Sequence, residues 1–285
     1  MLINGHTKQL AIIGKPVEHS FSPQMHNFFS EITNNNYSYS AWETDNIENA
    51  INGIRAMNIR GVNVTAPYKK DVLQYLDDID DNALLLGSVN TVVNSNGRLK
   101  GYNTDAEGFY RSLINSGITI TDKNILVIGA GGAAQPAVMR FVQANPKSIT
   151  VVNRTKSRAD KMRDDIRKKL DFEIKTEFDS SANYDVVINT TSAGMTSSIL
   201  PTAEIDGIDN LDFIKSGCAA ADMIYNPPET LFLQTAHKQG AKTVNGLGML
   251  IYQGIIAYEL FTETALPDDI YERVKEYLIK EKILG

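Results

Sequence analysis

The sequence predicts an α/β protein of two domains, each built around a largely parallel sheet. Three observations predict it. Short apolar runs alternate with longer amphipathic stretches along most of the chain, the pattern of strands joined by crossover helices. One apolar run, residues 125–128, leads directly into a glycine-rich turn and then into a helical pattern. The chain's 285 residues suffice for two cores of ordinary size.

In the first block, residues 10–13, 37–42, 61–64 and 88–93 read as strands, short and apolar or aromatic. Residues 23–31, 46–57 and 70–76 read as helices between them. Ser22-Pro23 offers a serine N-cap followed by proline at the first helical position. Residues 105–116 read as a linking helix, with the boundary between blocks near 101–105. The second block has strands at 125–128, 149–152, 185–188, 219–222 and 242–244, and helices at 133–144, 158–170 and 230–239. Helices at 246–261 and 267–282 close the chain. No internal repeat or low-complexity tract interrupts this order.

Composition narrows the function. An apolar fraction of 42% and a charged fraction of 22% are those of a soluble globular protein. A net charge of -6 argues against non-specific nucleic-acid binding. The single cysteine, Cys218, has no partner for an intrachain disulfide, which points to a reducing compartment. No apolar run approaches the ~20 residues that cross a bilayer. Polar Asn4, His6, Lys8 and Gln9 stand where a signal peptide is apolar. A cytoplasmic protein is expected, without membrane or nucleic-acid partners.

The glycine turn reads Gly129-Ala-Gly131-Gly-Ala-Ala134 between strand and helix. Gly129 allows the tight turn, Gly131 lets a pyrophosphate approach the backbone, and Ala134 lets helix and strand pack closely. The helix start adds free N–H groups and partial positive charge. This is a dinucleotide site, a Rossmann-type domain. After the next strand an NAD enzyme carries Asp or Glu for the ribose 2′-hydroxyl; here Asn153 is followed by Arg154, Thr155, Lys156 and Arg158. Guanidinium groups beside a neutral amide suit a 2′-phosphate, hence NADP. The alternative is that Lys156 and Arg158 decorate a solvated helix start, although cations there oppose the helix dipole.

In the first block, polar residues gather at strand ends, where open α/β sheets place ligands. They include Ser20-Phe-Ser22, Asn63-Val-Thr65-Ala-Pro-Tyr-Lys69, Ser88-Val-Asn90-Thr91 and Gly101-Tyr-Asn-Thr-Asp105. Hydroxyls, amides, one Lys and one Asp form a kit for a polyhydroxylated acid.

These segments, with Gly129–Ala134, Asn153-Arg-Thr155, Thr191-Ser-Ala-Gly-Met195, Asp222-Met-Ile-Tyr-Asn-Pro227 and Gly246-Leu-Gly-Met-Leu-Ile-Tyr-Gln253, resemble the shikimate dehydrogenase family in the family's order. The resemblance runs from about Ala11 to Gln253. It implies a substrate domain over 1–105, completed by C-terminal helices returning over 246–285, and an NADP-binding domain over 106–245. It implies reduction of 3-dehydroshikimate to shikimate, on the route to chorismate and the aromatic amino acids. The protein would be a monomer or homodimer.

By position, the resemblance makes Lys69 and Asp105 the catalytic pair and gives Ser20 and Ser22 the substrate carboxylate. Thr65, Asn90 and Gln253 match residues binding ring hydroxyls or carboxylate, with Tyr225 near the same pocket. Gly129, Gly131, Ala133 and Ala134 match the pyrophosphate loop. Asn153, Arg154, Thr155 and Arg158 match the 2′-phosphate site, and Thr191, Met223 and Gly246 the nicotinamide surroundings. Structural roles compete: Asp105 as a helix N-cap, Lys69 as a solvated lysine, Gln253 as a core-edge amide. Ser22 as a cap leaves Ser20 without a structural task. His6, His19, His26 and His237 show no metal-ligand spacing, and no metal is implied.

Lys69 would protonate the oxygen formed at C3, with Asp105 holding it in place, or would stabilise charge there. Burial lowers a lysine pKa and an adjacent carboxylate raises it, so the two oppose each other. Two departures, Ala106 where glycine commonly follows and Ser88 where alanine is common, keep open an NAD-dependent quinate/shikimate dehydrogenase. A catalytically silent shikimate- and cofactor-binding regulator is the alternative from outside enzymes.

Overall fold

The computed structural model describes residues 3–196 and 199–281. The chain divides into two compact units: the stretch to Asp105 together with the stretch from Ile251 onward, and Ala106–Leu250.

The first unit opens with β1 (Lys8–Gly14), α1 (Ser22–Ile32), β2 (Tyr37–Glu43), α2 (Ile47–Ala56) and β3 (Gly61–Val64). A 3₁₀ turn (Asp71–Tyr75), β4 (Asp78–Ile79), α3 (Asp81–Leu86), β5 (Thr91–Ser95) and β6 (Arg98–Tyr102) follow. Strands lie in the order β2-β1-β3-β5-β6-β4. β1 pairs parallel with β2 and β3, while β5 runs antiparallel to both β3 and β6. Alternate residues of β1 serve opposite faces. Ala11 and Ile13 pack with Ile47, Ile51 and Ile54 of α2; Leu10 and Ile12 pack with Ala257 and Phe261. Both faces are therefore apolar. Gly61 makes the second contact close, since a Cβ there would lie 2.3 Å from the Phe261 ring.

α4 (Asp105–Asn115) leads into the second unit, which holds β7 (Asn124–Ile128), α5 (Ala134–Val142), β8 (Ser148–Val152), α6 (Lys156–Leu170) and β9 (Val186–Asn189). β10 (Ala219–Asp222), α7 (Leu231–Lys238) and β11 (Lys242–Val244) complete it. Its sheet is all parallel in the order β11-β10-β9-β7-β8. The chain leaves β7 for β8 on one side and returns to β9 on the other, so the glycine turn after β7 sits at the switch point of the sheet. α8 (Leu247–Thr262) and α9 (Ile270–Lys280) end the chain. The expected end of the last helix at Lys282 lies outside the described residues. Residues 246–250, expected with the substrate domain, group with the second unit.

Local chemistry explains the other departures. The helix expected over 70–76 is a 3₁₀ turn of five residues, too short to repay helix nucleation. The strand expected at 88–93 begins only at Thr91, because the Val89 N–H donates to the Lys69 carbonyl at 2.8 Å. β5 and β6 form a hairpin across Asn96-Gly97, both at positive φ (53° and 89°), the conformation an Asn-Gly turn adopts. Helix α3, also unexpected, is capped by the Asp80 side chain and stopped by Gly87 at φ 65°. Ser22 is not the N-cap of α1: Phe21 holds that position and Ser22 is the first helical residue. Ser20 does have a structural task, its Oγ accepting the Ser22 N–H at 3.3 Å.

His26 of α1 is fully buried, stacked on Tyr39 (4.2 Å between centroids) and edge-on to Phe29 (5.6 Å), near Tyr258 and Phe261. Neither ring nitrogen has a hydrogen-bond partner among the described residues. Burial pushes its pKa from 6.5 down to about 3. The neutral ring takes up a proton on unfolding, so stability is complete above about pH 6.5 and falls as pH drops toward 3. Between pH 7 and pH 4.5 this group is expected to cost about 2–3 kcal/mol. His26→Leu should remove that share of the pH dependence in urea unfolding. Identical pH dependence in both proteins would refute it.

Candidate active site

In the first unit the loop after β3 carries Thr65 and Lys69. The Thr65 N–H donates to the Ile13 carbonyl at 2.9 Å, and Gly14 admits this approach, since a Cβ there would lie 2.3 Å from Thr65 Cγ2. The Lys69 ammonium donates to Asp105 Oδ2 at 2.6 Å, with side chains 34% and 19% exposed. Asp105 is the first residue of α4, where the helix dipole favours its charge.

A buried polar network fixes that pair. The Asn90 carboxamide oxygen accepts the Thr104 N–H (2.8 Å), and its Nδ2 donates to Thr104 Oγ1 (2.9 Å). Thr91 Oγ1 donates to the same oxygen at 3.1 Å and accepts from Asn63 Nδ2 at 3.0 Å. The Tyr39 hydroxyl donates to Asn63 Oδ1 at 2.7 Å; burial drives the phenol pKa well up, opposed by a hydrogen bond with Ser22. Ser22, Lys69, Asn90 and Asp105 are thus joined through hydrogen bonds and one loop. Asn90 uses most of its amide on Thr104, so much of its work is structural. Gln253 lies on α8, buried, in the same unit. Tyr225 lies in the second unit, after β10, with burial raising its phenol pKa.

The second unit holds a groove of about 580 Å³ lined by Gly129, Gly131, Asn153, Arg154, Thr155, Arg158 and Thr191, with residues 199–201 and 203–205 on one wall. Ala133 and Ala134 do not line it; Ala134 packs fully buried at the start of α5. Met223 and Gly246 touch one another, since a Cβ on Gly246 would lie 2.1 Å from the Met223 carbonyl oxygen. Asn153 is a brace: its Oδ1 accepts the Ala130 N–H (3.1 Å) and its Nδ2 donates to the Thr155 carbonyl (2.9 Å).

The cations divide three ways. Lys156, read from sequence as one of three charges facing an anion, is taken by Asp160 (3.2 Å) and Glu177 (3.7 Å) and does not line the groove. Arg154 pairs with Glu204. The Arg158 side chain has no ion-pair partner among the described residues.

Sequence reasoning passed over three residues that shape this groove. Asn189 accepts both the N–H (2.9 Å) and the hydroxyl (2.8 Å) of Thr191. Its Nδ2 donates to Asp222 at 3.0 Å, and Asp222, fully buried, also accepts from the Ile224 N–H (2.9 Å) and Thr230 hydroxyl (2.7 Å). Burial raises the Asp222 pKa while these bonds lower it. Polar residues at the ends of apolar strands were the available signal for this pair. Glu204 gave none, being 50 positions from its partner. Among the described residues no cluster of His, Cys, Asp and Glu could hold a metal ion, and no helix is long and apolar enough to cross a membrane.

Residues 12–92 match the family model of the shikimate dehydrogenase substrate binding domain. Residues 112–211 match shikimate / quinate 5-dehydrogenase, and 246–274 the shikimate 5'-dehydrogenase C-terminal domain. A shikimate dehydrogenase (NADP(+)) of Methanococcus maripaludis is 39% identical over 285 residues, spanning 98% of this chain and 100% of its own. The chain belongs to the shikimate dehydrogenase family. A crystal structure of a shikimate dehydrogenase in complex with NADP+ aligns with a TM-score of 0.87 at 37% identity, covering 100% of this chain and 98% of its own. The shikimate 5-dehydrogenase of Listeria monocytogenes, in complex with shikimate and NAD, aligns at 0.85 and 34%, covering 98% of each.

Gly129 and Gly131, in the turn after β7, differ physically. Gly129 has φ +112°, and a Cβ there would meet Thr190 Oγ1 at 2.5 Å; at Gly131 a Cβ would meet nothing within 4 Å. Gly129→Ala is expected to lower stability by about 2 kcal/mol or more, from backbone strain plus overpacking. Gly131→Ala should leave the Tm unchanged. Thermal unfolding of both checks this, and equal losses would contradict it.

Proposed function

We propose that this protein catalyses the reversible NADPH-dependent reduction of 3-dehydroshikimate to shikimate, within the route to chorismate and the aromatic amino acids. The observation that carries it is the Lys69–Asp105 pair, held at 2.6 Å by the buried Asn90–Thr104 network in a chain of this family. Bound NADPH supplies the hydride, and that chemistry is the cofactor's own.

Lys69 gives a proton to the C3 oxygen as the carbonyl is reduced. Its ammonium has three N–H donors; Asp105 takes one, and the others remain to meet the substrate oxygen. Ser20 and Ser22 bind the substrate carboxylate, and Thr65, Asn90 and Gln253 contribute to ring hydroxyls or carboxylate. The groove suits the cofactor in two respects. Gly131 lines it, and a Cβ there would meet nothing within 4 Å, which leaves its backbone open to the approach of a pyrophosphate. Arg158 is a guanidinium on the wall without an ion-pair partner among the described residues, fit for a 2′-phosphate. Gly129, Gly131, Ala133 and Ala134 would hold the pyrophosphate; Asn153, Arg154, Thr155 and Arg158 the 2′-phosphate end. Thr191, Met223 and Gly246 would surround the nicotinamide. The enzyme acts in the cytoplasm as a monomer or homodimer.

Purified protein given shikimate with NADP should form reduced nicotinamide rapidly, and more slowly with NAD or quinate. Lys69→Ala should lower kcat by about 10²–10⁴, the share general-acid catalysis supplies. Near-normal kcat in that variant would remove Lys69 from the mechanism. Wild-type silence with both cofactors and both substrates, despite shikimate binding, would favour a regulator instead.

A further inference from the structure

Every group of the nucleotide groove but one suits an anionic or neutral ligand. The exception is Glu204, whose carboxylate pairs with Arg154, the first cation after β8. Its backbone has little freedom: the Ala203 N–H donates to the Leu200 carbonyl (3.1 Å) and the Ile205 N–H to the Thr202 carbonyl (2.9 Å). Leu200 and Ile205 on either side pack against the core of the second unit, and Thr202 is buried. The side chain itself is 64% exposed and can swing out.

A carboxylate is what recognises a ribose 2′-hydroxyl, ordinarily from the residue at the end of the second strand. Here that residue is Asn153, an uncharged amide that braces Ala130 and Thr155. The carboxylate reaches the same end of the groove from another segment.

We propose that Glu204 is a specificity-determining residue for the substituent on the adenosine ribose. With a 2′-hydroxyl it keeps Arg154 and accepts the hydroxyl's hydrogen bond. With a 2′-phosphate it is repelled, gives up Arg154 to the phosphate and turns to solvent, while Arg158 serves as the constant anion contact. Glu204 thereby weakens NADP binding and narrows discrimination against NAD.

This rests on the dinucleotide reading of the groove, and titration calorimetry separates the two. Wild type and Glu204→Gln, which substitutes an exposed side chain, are titrated with NADP and with NAD at low salt and at 0.5 M NaCl. Removing one like charge and one competing ion pair in a solvated site should tighten NADP about three- to tenfold at low salt. NAD affinity should change less than twofold, and the gain for NADP should shrink at high salt as screening removes it. If wild type binds neither nucleotide, the dinucleotide reading itself fails. If wild type binds NADP and the variant binds it no tighter, or tightens on NADP and NAD alike, Glu204 has no part in the discrimination.

Discussion

One buried amide decides where the Lys69–Asp105 pair stands. Asn90 is 3% exposed and holds both the N–H and the hydroxyl of Thr104, the residue directly before Asp105. Its backbone N–H donates to the Tyr102 carbonyl and its carbonyl accepts from Val64, so one residue connects the ends of β3 and β6 with the start of α4. Lys69 enters from the same side, because its carbonyl receives the Val89 N–H one position earlier. Placing Asp105 within 2.6 Å of Lys69 is then a consequence of backbone geometry rather than of the ion pair. The pair alone, half-exposed on the lysine side, would not hold a loop and a helix start in register.

The second unit repeats the device with a charge. Asp222 is fully buried and has three neutral donors instead of a cation. Uncompensated, a buried carboxylate would be too costly to keep ionised; three hydrogen bonds to it offset much of that cost. What it gains is connection. Through Asn189 it fixes the turn at Thr191, and through Ile224 and Thr230 it fixes the segment after β10 that holds Met223 against Gly246. Asn153 does the same for the glycine turn. In both units, polar residues at the ends of strands stitch together loops that the sheet leaves unsupported.

That arrangement explains what was legible in advance. Apolar parallel strands announce themselves by composition, and those of the second unit fall within a residue or so of expectation: 149–152 against Ser148–Val152, 242–244 against Lys242–Val244. The glycine turn was legible because its residues are consecutive. The β5–β6 hairpin was equally local, signalled by Asn96-Gly97, and was missed because the alternation of strand and helix suggested a parallel crossover. Ser22 failed as a cap for a subtler reason: proline tolerates the second helical position as well as the first, so Ser-Pro does not fix the helix start to one residue. Asn90 and Lys156 show a deeper limit. A sequence tells which groups can bind a ligand but not which are already bound to the protein, and here Thr104 and Asp160 had first claim.

The two ion pairs of the candidate sites differ in exposure. Lys69 and Asp105 are 34% and 19% exposed; Arg154 and Glu204 are 71% and 64% exposed. Partial burial keeps an electrostatic interaction strong and slow to exchange, since separating the charges means solvating each again. Nearly full exposure leaves a pair that water and salt replace at little cost. In the reaction proposed above, Lys69 draws on the first condition, because its partner must stay put while charge develops on the substrate. The role proposed for Glu204 draws on the second, because its partner has to leave when a phosphate arrives. The same two residue types, a cation and a carboxylate, thus make a fixed tool in one unit and an exchangeable contact in the other, and burial alone sets the difference.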